Sequence, residues 1–332
     1  YGNLSGAATT TTLVPEFCIR VPNGDTGELN QIVGGNYSLG SPIMVDRSLD
    51  LRSKAAVNGV LEARVKAISW LTVGVTDDLN GDPRAALEAF QQALAVFDNV
   101  GPVSAPTAGD GKEVFYYFIG REDLFLKQLD DGMQAFRQAL TSNPNHARSH
   151  LGLGGIYYTR AQATAPAERL QTTDLESAIT EYNLAVAGAR QVGDTPAEYQ
   201  AHIAMGSVLR LKGEAYYFRG DYADADGFLD QAISEARAGK AMIAANQYRV
   251  LAYADMVVGN ASYQKAAIRQ AEGDKVASHD WYQQAHDAYQ QCIKAADSDP
   301  QDLILATQIK NATCVPYDQA VLKALAASST VP

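Results

Sequence analysis

The sequence lacks any long hydrophobic run, and it also lacks the short motifs that mark common active sites. No segment approaches the roughly 18 consecutive apolar residues that a membrane-spanning helix needs. The Gly-x-Ser-x-Gly, His-Glu-x-x-His and phosphate-binding Walker motifs are all missing. These absences argue against the commonest hydrolases and nucleotide-binding enzymes, and we predict a non-enzymatic protein without a cofactor.

Histidine and cysteine are scarce, with five and three copies in 332 residues. His146 and His150 stand four residues apart, a spacing that can place two imidazoles on one helical face. No third ligand lies nearby in the sequence. We therefore interpret the pair as surface or packing histidines and expect no metal.

Positive charge is also in short supply, because 27 Lys and Arg stand against 38 Asp and Glu, a net charge of −11. Such a surface repels phosphate groups, so we expect no nucleic-acid partner. Hydrophobic residues make up 46% of the chain and charged residues 20%. This composition predicts a folded protein with a continuous core, and it favours neutral or basic partners.

Residues 1–45 differ from the rest of the chain because proline, glycine and threonine are frequent there. These are turn and extended-chain signals, and they predict an extended, mostly non-helical N-terminal arm. Short strands are expected near Leu13–Val14 and Phe17–Val21. An arm without a helical core of its own must dock on its own repeats or on a neighbouring molecule.

Helical periodicity begins at about Asp46 and predicts helical repeats over 46–300. An opening helix runs towards Trp70 in this interpretation. The region 301–332 is expected to form two capping helices, at about 301–312 and 317–327, followed by a tail.

A glycine recurs in the helical region, followed by a small residue, then by an aromatic residue or leucine, then by alanine. The first interval is twelve residues, except in the third copy, where an insertion at about 159–172 lengthens it. Antiparallel helices approach closely only where side chains are small, so the pattern predicts packed helical hairpins. The core positions of the four copies are Gly74, Ala86, Phe90 and Ala93; Gly120, Gly132, Phe136 and Ala139; Gly154, Ala178, Tyr182 and Ala185; Gly213, Ala225, Leu229 and Ala232.

A fifth copy allows two registers. Gly273 precedes Ala285, Tyr289 and Cys292 at the usual intervals, whereas Gly259 is the alternative first-helix glycine. Cys292 takes an alanine position in this copy, so we predict that it is a buried free thiol.

These segments resemble tetratricopeptide repeats, which are 34-residue helix–turn–helix units, over about 67–299. The resemblance implies an all-α solenoid of about five helical hairpins. Partners of this family usually bind the concave face made by the first helices, where arginine and tyrosine are suited to holding a peptide. The alternative is that several of these tyrosines pack the hairpins, or that the protein's own arm fills the groove. The matching positions are Tyr117, Arg121, Leu124, Arg148, Leu151, Tyr158, Arg210, Glu214 and Tyr217.

Several features predict an exported protein, either extracellular or at the cell surface. The chain starts at Tyr1 rather than methionine, as it would after removal of a signal peptide or trimming. Cys18 and Cys314 lie in irregular segments near prolines, and in an oxidising compartment we expect them to pair. Three unpaired thiols in a cytosolic protein are the alternative. Glycosylation sequons begin at Asn3, Asn36, Asn260 and Asn311.

The functional hypothesis is a structural protein that associates head-to-tail through its arm into an extracellular filament. A stack of hairpins separates its two ends, so a Cys18–Cys314 bond requires the arm to fold back or to reach the next molecule. Two alternatives stay open. One is a monomeric adaptor that binds a peptide in its concave groove, and the other is the repeat portion of a larger signalling protein.

Overall fold

The computed structural model describes residues 2–6, 10–17, 37–38, 43–46, 51–98, 111–299 and 305–329. The helical part of the chain divides into two compact units between Ile156 and Tyr157. The first unit includes the strands that precede the helices. The domain limits predicted after residues 45 and 300 stay a prediction.

Four short strands open the first unit, namely β1 (Gly2–Gly6), β2 (Thr10–Phe17), β3 (Tyr37–Ser38) and β4 (Ile43–Asp46). β2 is central and pairs antiparallel with each of the other three. β4 contacts the first helix, and Ile43 is fully buried. The expected strand at Leu13–Val14 is confirmed within β2. Of the expected strand Phe17–Val21, only Phe17 is among the described residues.

The helices of the first unit form antiparallel pairs. α1 packs on α2, α2 on α3, and α3 on α4. The turn between the first pair contains Gly81, whose φ of 77° is left-handed, and α2 begins on Pro83, which suits the first turn of a helix. The helices are α1 (Leu51–Leu79), α2 (Pro83–Asp98), α3 (Lys112–Phe125), α4 (Leu129–Ser142) and α5 (Ala147–Ala163), the last of which continues into the second unit.

Three of the four predicted first-helix glycines, Gly74, Gly120 and Gly213, are sites of close helix approach. A Cβ built at Gly74 would lie 2.5 Å from the Phe90 ring, and one at Gly120 would lie 3.0 Å from the Phe136 ring. In the second unit a Cβ at Gly213 would lie 2.9 Å from Leu229. The spacing therefore identifies real packing contacts, because any larger side chain would meet the ring or methyl groups of the second helix.

The remaining core positions of the repeat pattern are buried as the pattern predicts. None of them exposes more than 3% of its surface, and these residues are Ala86, Phe90, Ala93, Phe136, Ala139, Ala178, Tyr182, Ala185, Ala225, Leu229 and Ala232.

The second unit continues the hairpin design. α7 packs on α6 and α8, and α9 packs on α8 and α10. The side chains of Asp194 and Asp274 accept hydrogen bonds from the N–H groups of Ala197 and Ala277, which caps α7 and α10. Its elements are a 3₁₀-helix (Pro166–Gln171), α6 (Asp174–Val192), α7 (Thr195–Arg219), α8 (Tyr222–Lys240), α9 (Tyr248–Ala271), α10 (Lys275–Asp297), a π-helix (Leu305–Cys314) and α11 (Val315–Ser329).

The register of the fifth hairpin is settled in favour of Gly259. A Cβ at Gly259 would lie 2.7 Å from the Tyr289 ring, which is the contact that the first-helix glycine makes elsewhere. Gly273 instead lies in the turn between α9 and α10 with a φ of 83°. Its assignment as the first-helix glycine is wrong, because a left-handed residue ends a helix rather than packing within one.

The predicted break before the last helix is also wrong. The π-helix Leu305–Cys314 runs directly into α11, which begins at Val315. Pro316 is the second residue of α11, directly after this junction.

The predicted all-α repeat class is confirmed, and the described strands are confined to residues before Arg47. Among the described residues, no helix combines the length and the apolar character that crossing a bilayer requires.

Candidate functional site

Arg121 is the centre of the predicted binding face in the first unit. Its Nη1 donates to Asp78 Oδ2 on α1 and to the neighbouring Glu122 Oε1, both at 2.8 Å. Its guanidinium lies 4.7 Å from the centre of the Phe125 ring. Only 13% of the Arg121 side chain is exposed, so this arginine already has protein partners. The exposed element at this point is Phe125, beside the half-buried Leu124.

Glu122 is a fully buried carboxyl group next to that arginine. Burial raises its pKa to about 8, although Arg121 opposes the change. Its Oε2 has no hydrogen-bond partner among the described residues. The neighbouring Asp123, with 4% exposure, has a pKa raised to about 6 by burial and by Asp131.

Tyr117 and the histidine pair serve as packing groups. Tyr117 is 8% exposed, and its ring meets the His146 ring edge-on at 5.7 Å. Burial lowers the pKa of His146 to about 3, helped by Arg148 and His150, so this imidazole is neutral. The ring Nε2 of His150 donates to the carbonyl of Pro144 at 3.0 Å. Packing histidines were predicted here, and no described group of His, Cys, Asp and Glu residues could hold a metal ion.

Three further predicted groove residues, Arg148, Leu151 and Tyr158, lie on α5. Arg148 is buried and engaged with other residues, and Leu151 is half-buried. In the second unit Tyr158 is half-buried close to Tyr182, whose pKa is raised by burial and by that neighbour. Their role in binding a partner stays a prediction.

In the second unit, two arginines share one carboxylate. Arg169 Nη1 donates to Glu214 Oε2 at 2.5 Å, while Arg210 Nη1 lies 3.6 Å from the same oxygen. Arg169 also donates to the carbonyls of Ala161 and Thr164, which fixes its position. Arg210, with 15% of its side chain exposed, is the more loosely held of the two.

Aromatic side chains lie on the same helix as Arg210 and Glu214. The Tyr217 ring contacts Phe218 and Tyr222, each at 5.6 Å between ring centres. Phe218 is 58% exposed, which is unusual for so large an apolar side chain. The predicted groove residue Tyr217 therefore lies beside an exposed aromatic side chain, on the helix that also carries Arg210 and Glu214.

A tyrosine cluster between α9, α10 and α11 was missed by sequence reasoning. Tyr263 contacts Tyr282 at 5.7 Å and Tyr317 at 6.2 Å, and Tyr317 stacks on Tyr289 at 6.1 Å. The Tyr289 hydroxyl donates to Asn260 Oδ1 at 2.7 Å. The only signal in the sequence was the high count of 17 tyrosines.

The disulfide prediction is wrong. Cys314 pairs with Cys292, with their Cα atoms 6.4 Å apart, and both residues are fully buried. Cys292 is therefore not a free thiol. Cys18 lies outside the described residues. The π-helix places Cys314 against α10. The repeat pattern could not predict this contact, because the π-helix lies outside the repeats.

The four sequons fall in different surroundings. Asn3 lies in β1, and Asn36 lies outside the described residues. Asn311 is exposed in the π-helix, whereas Asn260 is half-buried in α9 and accepts the hydrogen bond from Tyr289. Glycosylation of these residues stays a prediction.

A family model supports the repeat assignment for one hairpin. A family model described as tetratricopeptide repeat matches residues 114–146, which cover most of α3 and all of α4. Among solved structures, the chain is similar to a thermophilic TPR protein of Thermus thermophilus, with 18% identity and a TM-score of 0.42. That match covers 77% of this chain and 99% of the other. No curated protein matches the chain.

The resemblance to tetratricopeptide repeats is thus confirmed for the matched hairpin. The matched hairpin shares its glycine-to-aromatic contact with the hairpins of Gly74 and Gly259. Such a fold is typically non-catalytic and serves protein interaction. The chain is an array of helical hairpins, and its residues 114–146 match the tetratricopeptide repeat.

Proposed function

We propose that this chain is an exported, non-catalytic interaction protein whose α7 face binds an extended partner segment carrying a carboxylate. The observation that carries the proposal is the uneven sharing of Glu214, which is 2.5 Å from Arg169 but 3.6 Å from Arg210. A guanidinium held at that distance keeps most of its donor capacity. A carboxylate from a partner would complete it as a forked, charge-assisted pair.

Charge and shape restrict the partner. The net charge of −11 disfavours a strongly acidic segment, so one carboxylate among neutral residues fits best. About two helical turns from Arg210, Tyr217 and the exposed Phe218 offer aromatic contact area to an apolar or proline-containing residue near that carboxylate.

The test measures binding of ten-residue peptides, with and without a central aspartate, by fluorescence polarisation. We expect Arg210→Gln to weaken binding of the aspartate peptides by about tenfold. Arg219→Gln is the matched control, because Arg219 lies on the same helix with 53% of its side chain exposed and pairs with Asp221. Equal affinity of wild type and Arg210→Gln would refute the α7 site.

Export is supported by the buried Cys292–Cys314 disulfide, since such bonds persist mainly in oxidising compartments. Peptide mapping of the protein from its native cells, by fraction, tests this part. We expect the disulfide-linked peptide, and glycans on the accessible sequons, in the surface or extracellular fraction. Reduced cysteines in a cytosolic pool would contradict it.

Head-to-tail assembly into a filament is a second candidate. It no longer has a covalent link through Cys314, and its support is the strand edge of β1, which pairs only with β2 among the described residues. Electron microscopy before and after deletion of residues 1–20 tests it, and unchanged assembly would contradict it. The repeat portion of a larger signalling protein remains the third prediction.

A further inference from the structure

β1 has a backbone edge that is uncovered in the described chain. It forms the end of the sheet, and β2 is its single described partner, with Leu4 opposite Leu13. The N–H and C=O groups along such an edge form a template for one more strand.

Pro15 indicates which backbone groups of β1 point away from β2. In the β1–β2 register, Gly2 lies opposite Pro15 and Gly6 lies opposite Thr11. Antiparallel pairs alternate between hydrogen-bonded and non-hydrogen-bonded, and proline has no N–H, so the Gly2–Pro15 pair is non-hydrogen-bonded. By alternation, Leu4 and Gly6 are also in non-hydrogen-bonded pairs. The backbone groups of Gly2, Leu4 and Gly6 therefore point away from β2.

The other side of β2 agrees with this assignment. The same alternation turns the backbone groups of Thr11 and Leu13 away from β1 and towards β4. There they lie opposite Val45 and Ile43, which are their partners in the β2–β4 register. Pro15 lies beyond the end of β4, where its missing donor leaves no described β4 acceptor unpaired.

The sequence of β1 is self-complementary, so a second copy of β1 fits its free edge. Gly-Asn-Leu-Ser-Gly reads nearly the same in both directions about Leu4. Two antiparallel copies centred on Leu4 bring glycine opposite glycine, asparagine opposite serine and leucine opposite leucine. Glycines at both ends permit close approach of the second backbone.

The edge also lacks the features that keep edge strands apart. No lysine, other charged residue or proline occurs in residues 1–14, although the whole chain carries a net charge of −11. Natural edge strands usually contain at least one such feature. A charge-free edge lets two acidic molecules approach at this segment without repulsion between the paired strands.

We propose that β1 pairs antiparallel with β1 of a second copy, about a two-fold axis at Leu4. The outward groups of Gly2, Leu4 and Gly6 then form about six backbone hydrogen bonds. The result is one continuous sheet and a closed dimer. This proposal does not rest on peptide binding at Arg210, and it differs from head-to-tail assembly because a two-fold contact uses the same surface on both molecules.

Sedimentation equilibrium of the full chain is the first measurement. We expect a concentration-dependent mass approaching twice the chain mass of 35.6 kDa. A mass that stays at that of one chain up to millimolar concentration would overturn the proposal. Open polymers would overturn the two-fold contact and favour the head-to-tail candidate. Peptide affinity at Arg210, measured separately, would be unaffected in either case.

A charge exchange at position 4 tests the axis. Leu4→Lys and Leu4→Glu each place like charges directly opposite one another, and we expect each to raise the dissociation constant at least about fivefold. An equimolar mixture of the two variants should restore the doubled mass, because lysine then faces glutamate. An unchanged dissociation constant in either single variant, or a mixture that stays monomeric, would overturn the pairing about Leu4.

A backbone test separates edge pairing from side-chain packing. Leu4→Pro removes an outward N–H and leaves the bonds of Asn3 and Ser5 to β2, so we expect about tenfold weaker dimerisation. Leu4→Ala keeps that N–H and should weaken the dimer much less. Far-UV circular dichroism verifies that each variant retains the helical fold. Equal effects of the two substitutions would overturn the backbone contact.

Discussion

Each unit buries an ionisable side chain, and the two side chains have different surroundings. In the first unit, Oε1 of Glu122 pairs with the guanidinium of Arg121, whereas Oε2 has no hydrogen-bond partner among the described residues. In the second, Lys265 is 1% exposed and its Nζ lies 3.0 Å from Asp226 and 2.6 Å from Asp230. The amine also lies 4.5 Å from the Trp281 ring.

The two sites differ in the number of opposite charges within reach of the buried group. Glu122 shares a single arginine with Asp78, so desolvation dominates and its pKa rises to about 8. Lys265 has two carboxylates and an aromatic face, which offset the cost of removing its charge from water. The first unit therefore buries a carboxyl group that favours its protonated form, whereas the second buries an amine with two carboxylates beside it.

The two tryptophans of the chain allow the units to be followed separately. Trp70 lies in α1 and Trp281 lies in α10. Trp281→Phe and Trp70→Phe backgrounds thus report, by fluorescence, on the first and second unit respectively.

The largest effect is expected from removing the buried lysine. Lys265→Ala leaves Asp226 and Asp230 without this cation, and we expect the free energy of unfolding of the second unit to fall by about 4 kcal/mol. The measurement is urea unfolding, with circular dichroism as the probe because Trp281 contacts the mutated site. Lys265→Met should lower the free energy of unfolding by less, because methionine preserves the packing and Asp226 still pairs with Arg269 at 2.7 Å. Lys66→Ala, at an exposed pair, is the control and should change nothing measurable; equal losses for Lys66 and Lys265 would contradict the interpretation.

The disulfide should stabilise the second unit alone. The bond closes a loop with a sequence separation of 22 residues, so replacing Cys292 and Cys314 by alanine should cost about 3 kcal/mol. Thermal unfolding in the Trp70→Phe background should show the loss, while the Trp281→Phe background shows none. Reductant should lower the wild-type transition and leave the double variant unchanged. A loss seen equally by both tryptophans would mean that the two units unfold together.

The protonated carboxyl predicts an unusual pH dependence in the first unit. The pKa of Glu122 rises from 4.5 to about 8 on folding, so the folded state holds the proton that the unfolded state loses. Stability should therefore be highest at low pH with respect to this group and decrease by about 2 kcal/mol or more between about pH 4.5 and 8. Urea unfolding in the Trp281→Phe background measures it.

Glu122→Gln is the matched variant for the pH experiment, because the amide resembles the neutral acid. We expect it to abolish the decline towards pH 8. It should also unmask His146, whose pKa is lowered to about 3 and which destabilises the fold as the pH drops below 6.5, while Asp123, whose pKa is raised to about 6, offsets part of that loss below about pH 6. An unchanged pH profile in Glu122→Gln would contradict the assignment.

The smallest effects should come from two glycines on α1. A Cβ at Gly74 would meet the Phe90 ring at 2.5 Å, so Gly74→Ala should destabilise the first unit by about 2 kcal/mol. Nothing lies within 4 Å of a Cβ at Gly59, and Gly59→Ala should stabilise the helix by about 0.7 kcal/mol. Thermal unfolding compares them, and changes of the same sign would show that close approach is not what requires Gly74.

The repeat contacts were predictable because they depend on local spacing. Gly74 and Phe90 belong to one hairpin, and the turn at Gly81 determines how their helices meet. The strand at Leu13 was also predictable, since its pattern is local. The Cys292–Cys314 bond was not, because it joins a repeat helix to a segment whose helical form has no repeat signal. Lys265 was equally hidden, since a lysine on a helix usually indicates an exposed face.

The sequence by itself determined the hairpin fold, through small and aromatic residues at intervals that only packed antiparallel helices satisfy. It also determined the self-complementary pattern of β1. The tertiary structure decided which cysteines pair, which arginines already have partners, and which glycine of the fifth hairpin meets a ring. The reason is physical: local spacing specifies contacts between neighbouring helices, whereas burial, charge sharing and strand edges depend on segments distant in the chain.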